Sequence, residues 1–154
     1  MIRKLLKFLD KISPAEIVYA HCDVPCGLYD TTAMLMAAAT MKKMVQKMQE
    51  LETPSKDATK EKWLAYKNSL TRMIMEKEEQ GEICKKELLI LWTDYFKQEH
   101  MGMFPNLHET FWKAAKLVSK NKQNVDMQAA DDLKDAVMEI DRIFKETKNN
   151  GKKI

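Results

Sequence analysis

Between residues 21 and 30 the chain reads His21-Cys22-Asp23-Val24-Pro25-Cys26-Gly27-Leu28-Tyr29-Asp30. Two of the three cysteines and one of the three histidines fall in this short stretch. Pro25 and Gly27 keep it out of regular helix and let it curl, with the two thiols four residues apart. Thiolates and an imidazole are soft and borderline metal ligands, so metal binding is the first chemistry this segment suggests. A zinc site would want a fourth ligand, and the other candidates, Cys84, His100 and His108, show no paired spacing. A dithiol redox site is a second reading, although Cys-x-x-Cys beside a βαβ pattern would be expected for it, and neither occurs. Two unrelated buried cysteines are the third.

The elements that must position this segment are helices. The 154 residues contain only 4 Gly and 4 Pro, too few turn residues for an all-β sandwich or barrel. With 45% apolar and 32% charged residues, the chain is long enough for one domain with a real core and is not a disordered tail. Asp30 is a candidate N-cap for a helix carrying Met34, Ala38, Met41, Val45 and Met48, which Thr53-Pro54 stops. A second pattern starts near 55–57 and runs through Trp63, Tyr66, Leu70, Met73, Lys77, Cys84, Leu88, Leu91 and Tyr95. Unbroken it would be about 60 Å long, so a bend or break is expected between Tyr66 and Leu70. A loop is expected over 99–105. A third helix holds Leu107, Phe111, Ala114, Ala115 and Val118, and 121–126 reads as a polar connection with Asp126 as N-cap. The last helix carries Ala130, Leu133, Val137, Ile140 and Phe144 and dissolves into KNNGKK. Four amphipathic helices with short connections predict an all-α antiparallel four-helix bundle.

Residues 1–12 form a short amphipathic pattern with Ile2, Leu5, Leu6, Leu9 and Ile12 on one side. Arg3, Lys4 and Lys7 imitate the start of a secretory signal, but Asp10, Lys11 and Glu16 interrupt any apolar stretch behind them. The expectation is a cytoplasmic chain. No run approaches the roughly 18 consecutive apolar residues of a membrane span. No basic stripe interleaved with aromatics argues for nucleic acid, and the formal net charge is only +3. Cys84 lies on an apolar helical face and reads as core. The twelve methionines read as adaptable core filler.

The sequence from His21 to Asp30 closely resembles the amino-terminal "nickel hook" of the nickel superoxide dismutase family, H-C-D-x-P-C-G-x-Y-D, and matches all eight fixed positions. The resemblance continues in Leu91-Trp92-Thr93-Asp94-Tyr95-Phe96-Lys97, similar to L-W-[ST]-D-Y-F-K, and in Phe104-Pro105-Asn106-Leu107-His108. It ends with residues 140–148, which resemble I-D-x-I-F-x-E-T-K. It is weakest over 31–67.

This resemblance implies a precursor cleaved between Ala20 and His21, so that residues 1–20 are a propeptide, 21–29 the hook, 30–148 the bundle and 149–154 a flexible tail. It implies one nickel ion per chain, cycling between Ni2+ and Ni3+ and converting superoxide to oxygen and hydrogen peroxide. The implied ligands are the Cys22 and Cys26 thiolates, the free amine of His21, the backbone amide nitrogen of Cys22 and, in the oxidised state, the His21 imidazole. A free α-amine titrates near 7.7–8.0 and donates well once deprotonated, which gives cleavage a chemical purpose. Tyr29 is expected over the open side of the metal, gating small anions and holding water. Asp23 would anchor the hook, Pro25 fix its turn and Gly27 admit a close approach, with Trp92, Asp94 and Tyr95 as a packing platform. The family assembles as a homohexamer, so a processing protease and copies of the chain are the implied partners. The alternative is a non-catalytic nickel- or copper-binding carrier using the same hook.

The chain departs from the family pattern in three places. Thr31 stands where many members have proline. No carboxylate occurs between Asp30 and Glu50, where some members carry one that helps hold the hook histidine. Gln80 stands where some have arginine. Loss of residues 1–20 would remove four basic and two acidic side chains, leaving a net charge of +1 instead of +3.

Overall fold

The computed structural model of the chain describes residues 28–150. Helix α1 spans Thr32–Glu50, α2 Lys60–Ile90, α3 Gln98–Met103, α4 Leu107–Gln123 and α5 Met127–Asn150, and a π-helical turn over Leu91–Tyr95 continues α2. No strand occurs among the described residues. The four long helices form the expected antiparallel bundle: α1 packs on α2 and α5, and α4 packs on the same two. Its register can be followed along the side chains. Thr31 meets Asp141 and Lys42 meets Asp131, so α1 and α5 run in opposite directions. Lys85 donates to Ser119 and Lys77 to the end of α4, giving α2 and α4 the same relation.

The core is the apolar stripe of each helix. Met34, Ala37, Ala38 and Met41 of α1 meet Cys84 and Leu88 of α2, Phe111, Ala114 and Val118 of α4, and Leu133, Val137 and Ile140 of α5. Each fully buried Leu, Ile, Val or Phe contributes about 1.5–3 kcal/mol against conformational entropy. Between α2 and α4 the approach is close at Gly81, where an added Cβ would lie 2.7 Å from Cγ of Lys122. Among the described residues no helix is long and apolar enough to cross a membrane.

Three local expectations are corrected. The second helix does not break between Tyr66 and Leu70. It is continuous over 31 residues, because residues 66–70 contain no Gly or Pro to stop it. The irregularity comes at the π-helical turn instead. The segment 99–105 is not all loop, since Gln98–Met103 forms α3 before Pro105 interrupts. The connection after α4 is shorter than 121–126. Asn121 is still helical and buried, and its amide donates to the carbonyls of Leu117 at 3.0 Å and Ala129 at 2.7 Å. Asp126 does cap α5, accepting from Ala129 N–H at 3.2 Å. The last helix continues through the KNN of KNNGKK to Asn150.

The first four turns of α2 bury no residue fully before Lys77. Lys77, 3% exposed, donates from Nζ to the carbonyls of Asn121 (2.6 Å), Lys122 (2.9 Å) and Asn124 (2.9 Å). One ammonium thereby caps the carbonyl end of α4, where the helix dipole favours a cation. Burial pushes its pKa below the ordinary 10.5, opposed by neighbouring Glu78.

Candidate metal centre

His21, Cys22, Asp23, Pro25, Cys26 and Gly27 lie outside the described residues. What the structure gives is the ground onto which they open: Leu28, Tyr29 and Asp30, and the side chains that receive them. Leu28 is 80% exposed, whereas Tyr29 is half-buried. Asp30 accepts from the backbone N–H of Thr32 at 2.8 Å, so it helps start α1 as expected, one residue ahead of the geometric N-cap Thr31.

Tyr29 lies edge to face against Tyr95, with ring centroids 5.6 Å apart. Tyr95 reaches that position because of the π-helical turn. Phe96 N–H donates to Leu91 C=O at 3.0 Å, five residues back, so Leu91 and Phe96 both enter the core while Tyr95 is turned toward the chain entering α1. A regular helix would not have carried residues five apart to one buried face. Tyr95 is held on three further sides. Its ring packs on Phe144 at 4.6 Å and stacks on His100 at 5.8 Å, and its hydroxyl shares a hydrogen bond of 2.8 Å with Thr147 Oγ1.

The other two platform residues point elsewhere. Trp92 stacks on Phe111 and donates from Nε1 to His108 Nδ1 at 2.7 Å. Asp94 is exposed and accepts from the hydroxyl of its neighbour Thr93. Gln80 donates to Glu76 on its own helix. Ala37 and Ala38 are fully buried in the carboxylate-free part of α1.

The donors that might complete a metal site from the bundle are occupied. Cys84 is buried, and burial, aided by Glu87, pushes its thiol up to about 12, far from a thiolate at neutral pH. His100 accepts from Lys97 N–H through Nδ1 at 2.9 Å, and His108 accepts from Trp92. Among the described residues no three His, Cys, Asp or Glu side chains are grouped to hold a metal ion. The side-chain types at His21, Cys22 and Cys26, one imidazole and two thiols, suit a soft or borderline transition metal such as nickel.

Missed from sequence were the grips on the chain at 29–31. Lys148 Nζ donates to the carbonyl of Tyr29 at 2.5 Å and lies 4.6 Å over the Phe144 ring. Thr31 donates to Asp141 Oδ1. The signal was available in the closing motif, which places Asp141 and Lys148 seven residues apart, on one side of α5.

Comparison with known proteins bears directly on this arrangement. Residues 16–148 match the family described as nickel-containing superoxide dismutase. The nickel superoxide dismutase of Streptomyces coelicolor is 32% identical over 136 residues, covering 88% of this chain and 94% of that protein. That of Streptomyces seoulensis is 33% identical over the same shares. The native structure of a nickel superoxide dismutase superposes with a TM-score of 0.70 at 32% identity, covering 83% of this chain and 99% of that one. A structure with its nickel ligation in the oxidised state gives 0.69 at 33% identity, over 84% and 99%.

Fold and relatives agree on a nickel-dependent oxidoreductase carried by a helical bundle. The chain belongs to the nickel-containing superoxide dismutase family. Its substrate is superoxide and its cofactor is nickel. A non-catalytic carrier is not favoured, since the relatives are named as dismutases.

Proposed function

We propose that the chain acts after cleavage between Ala20 and His21, with one nickel held by the thiolates of Cys22 and Cys26, the new amine and imidazole of His21, and the Cys22 amide nitrogen. The observation that supports this reading is the contact of Tyr29 with Tyr95: three residues after Cys26 in sequence the chain is already held on the bundle, against a braced aromatic wall. When bound, nickel would supply one-electron exchange with superoxide. The balance is two superoxide anions and two protons giving oxygen and hydrogen peroxide.

The rest is the work of side chains. Tyr29 stands at the open side, excludes larger anions and keeps water near its hydroxyl, from which protons reach the reduced product. Tyr95 backs Tyr29 and fixes its ring. Pro25 sets the turn that returns Cys26 toward Cys22, Gly27 allows the backbone to pass closely, and Asp23 anchors the hook. Residues 1–20 act as a propeptide removed by a protease, 30–148 form the body and 149–154 a tail. The chain works in the cytoplasm as a homohexamer.

Intact mass of protein from its native cell tests the processing, with a chain starting at His21 expected. A stable chain retaining Met1 to Ala20 would overturn it. Superoxide decay on the cleaved, nickel-loaded protein tests the activity; a rate no better than free nickel at full stoichiometry would favour a carrier.

A further inference from the structure

Where the hook would join the bundle, the ladder of α1 begins only with Leu35 N–H on the Thr31 carbonyl, and α5 adds a hold on the chain ahead of it. Thr31, only 5% exposed, donates from its hydroxyl to Oδ1 of Asp141, whose second oxygen accepts from Lys145 at 2.7 Å. Two residues earlier the carbonyl of Tyr29 accepts from Lys148. Asp141, Lys145 and Lys148 recur at spacings of four and three, so they line one face of α5. The chain is therefore gripped twice within three residues, once by a side chain and once by its backbone.

We propose that Asp141, acting through Thr31, is a positioning residue for the nickel hook, with Lys148 as the second grip on the same stem. The pair fixes the height and direction at which the chain leaves α1. Through Tyr29, this sets where the chain meets the aromatic wall, three residues after Cys26 in sequence. A buried hydroxyl bonded to a charged carboxylate is directional, and an isosteric apolar side chain cannot replace it. The surrounding core, made by Met34, Ile140 and Phe144, does not depend on it. This inference rests on the reading of residues 21–29 as the nickel site.

Thr31→Val, Thr31→Ser and Lys148→Met, each in the processed protein, supply the test. Three measurements are compared with the unaltered protein: amide hydrogen exchange of 28–32 without metal, the rate of nickel loss to a chelator, and the nickel–thiolate absorption band. Thr31→Val and Lys148→Met are expected to speed exchange at the stem, to raise nickel loss roughly 10-fold to 100-fold and to shift the band. Thr31→Ser is expected to restore all three. Unaltered exchange in Thr31→Val, or faster exchange with unchanged nickel loss and band, would overturn the proposal while leaving the metal reading intact. The same holds if Thr31→Ser behaves like Thr31→Val. An unaltered protein that retains no nickel would overturn the metal reading and the proposal together.

Discussion

Tyr29 and Tyr95 meet edge to face with their planes inclined at 61°, and Tyr95 is itself braced by Phe144, His100 and Thr147. An edge-to-face pair contributes about 0.5–1.5 kcal/mol beyond the area it buries. The ring of Tyr29 is thus held by packing, a role separate from the one proposed above for its hydroxyl.

Tyr29→Phe separates those two roles. The phenylalanine ring keeps the contact with Tyr95, so nickel content is expected to match the unaltered protein. The rate of superoxide decay, or the degree of inhibition by peroxide, is expected to change, because the hydroxyl proposed to order water at the metal is gone. Metal analysis alongside stopped-flow decay checks both parts. Loss of nickel would make Tyr29 a structural residue.

Cys22→Ser and Cys26→Ser test the ligand set. A serine hydroxyl does not ionise near neutral pH, whereas a cysteine thiol has an ordinary pKa near 8.5 and is readily deprotonated by a metal. Each single variant is expected to lose nickel and activity together. The helical circular dichroism should stay unchanged, since the bundle core begins at Met34. Nickel at full stoichiometry in either variant would remove that cysteine from the ligand set.

The bundle was legible because its periodic apolar positions are also its core: Met34, Met41, Phe111, Val118, Leu133 and Ile140 were named from spacing and are all buried. The chemistry was legible because ligand residue types are dense between His21 and Cys26. What spacing could not reveal was the π-helical turn, since periodic reading assumes an unbroken helix. Leu91 and Phe96, five apart and both apolar, are the trace it leaves. Lys77 was read simply as part of the broad side of α2. Its burial follows from three carbonyls on another helix, and a pattern within one element does not contain them.

That lysine gives a stability prediction. Lys77→Met fills similar space but leaves the carbonyl end of α4 without its cap. Stability is expected to fall by about 2–4 kcal/mol, since buried acceptors lose a charged donor. The melting temperature should drop by roughly 6–12 °C. The first turns of α2, which bury no residue fully, should loosen with it, seen as faster amide exchange before residue 77. Lys77 lies at the far end of the bundle from Tyr29, so superoxide decay per bound nickel should be unchanged. A melting temperature within about 1 °C of the unaltered protein would show that the ammonium contributes nothing net.

The histidine beneath Tyr95 predicts a pH dependence with a definite sign. His100 accepts the N–H of Lys97 through Nδ1, which only an unprotonated nitrogen can do. Burial holds its pKa below the ordinary 6.5, with Lys97 acting in the same direction and Glu99 against it. The folded chain therefore favours neutral imidazole more than the unfolded chain does. The stability tied to this is complete above pH 6.5 and is lost as pH falls through the lowered folded value. Protonation would also cost α3 its first-turn bond and loosen the stack under Tyr95. His100→Asn retains an acceptor that does not titrate. The unaltered metal-free protein is therefore expected to lose several degrees of melting temperature between pH 7 and pH 5 that His100→Asn does not lose. Parallel melting curves for the two proteins across that range would show that His100 has no part in the acid limb.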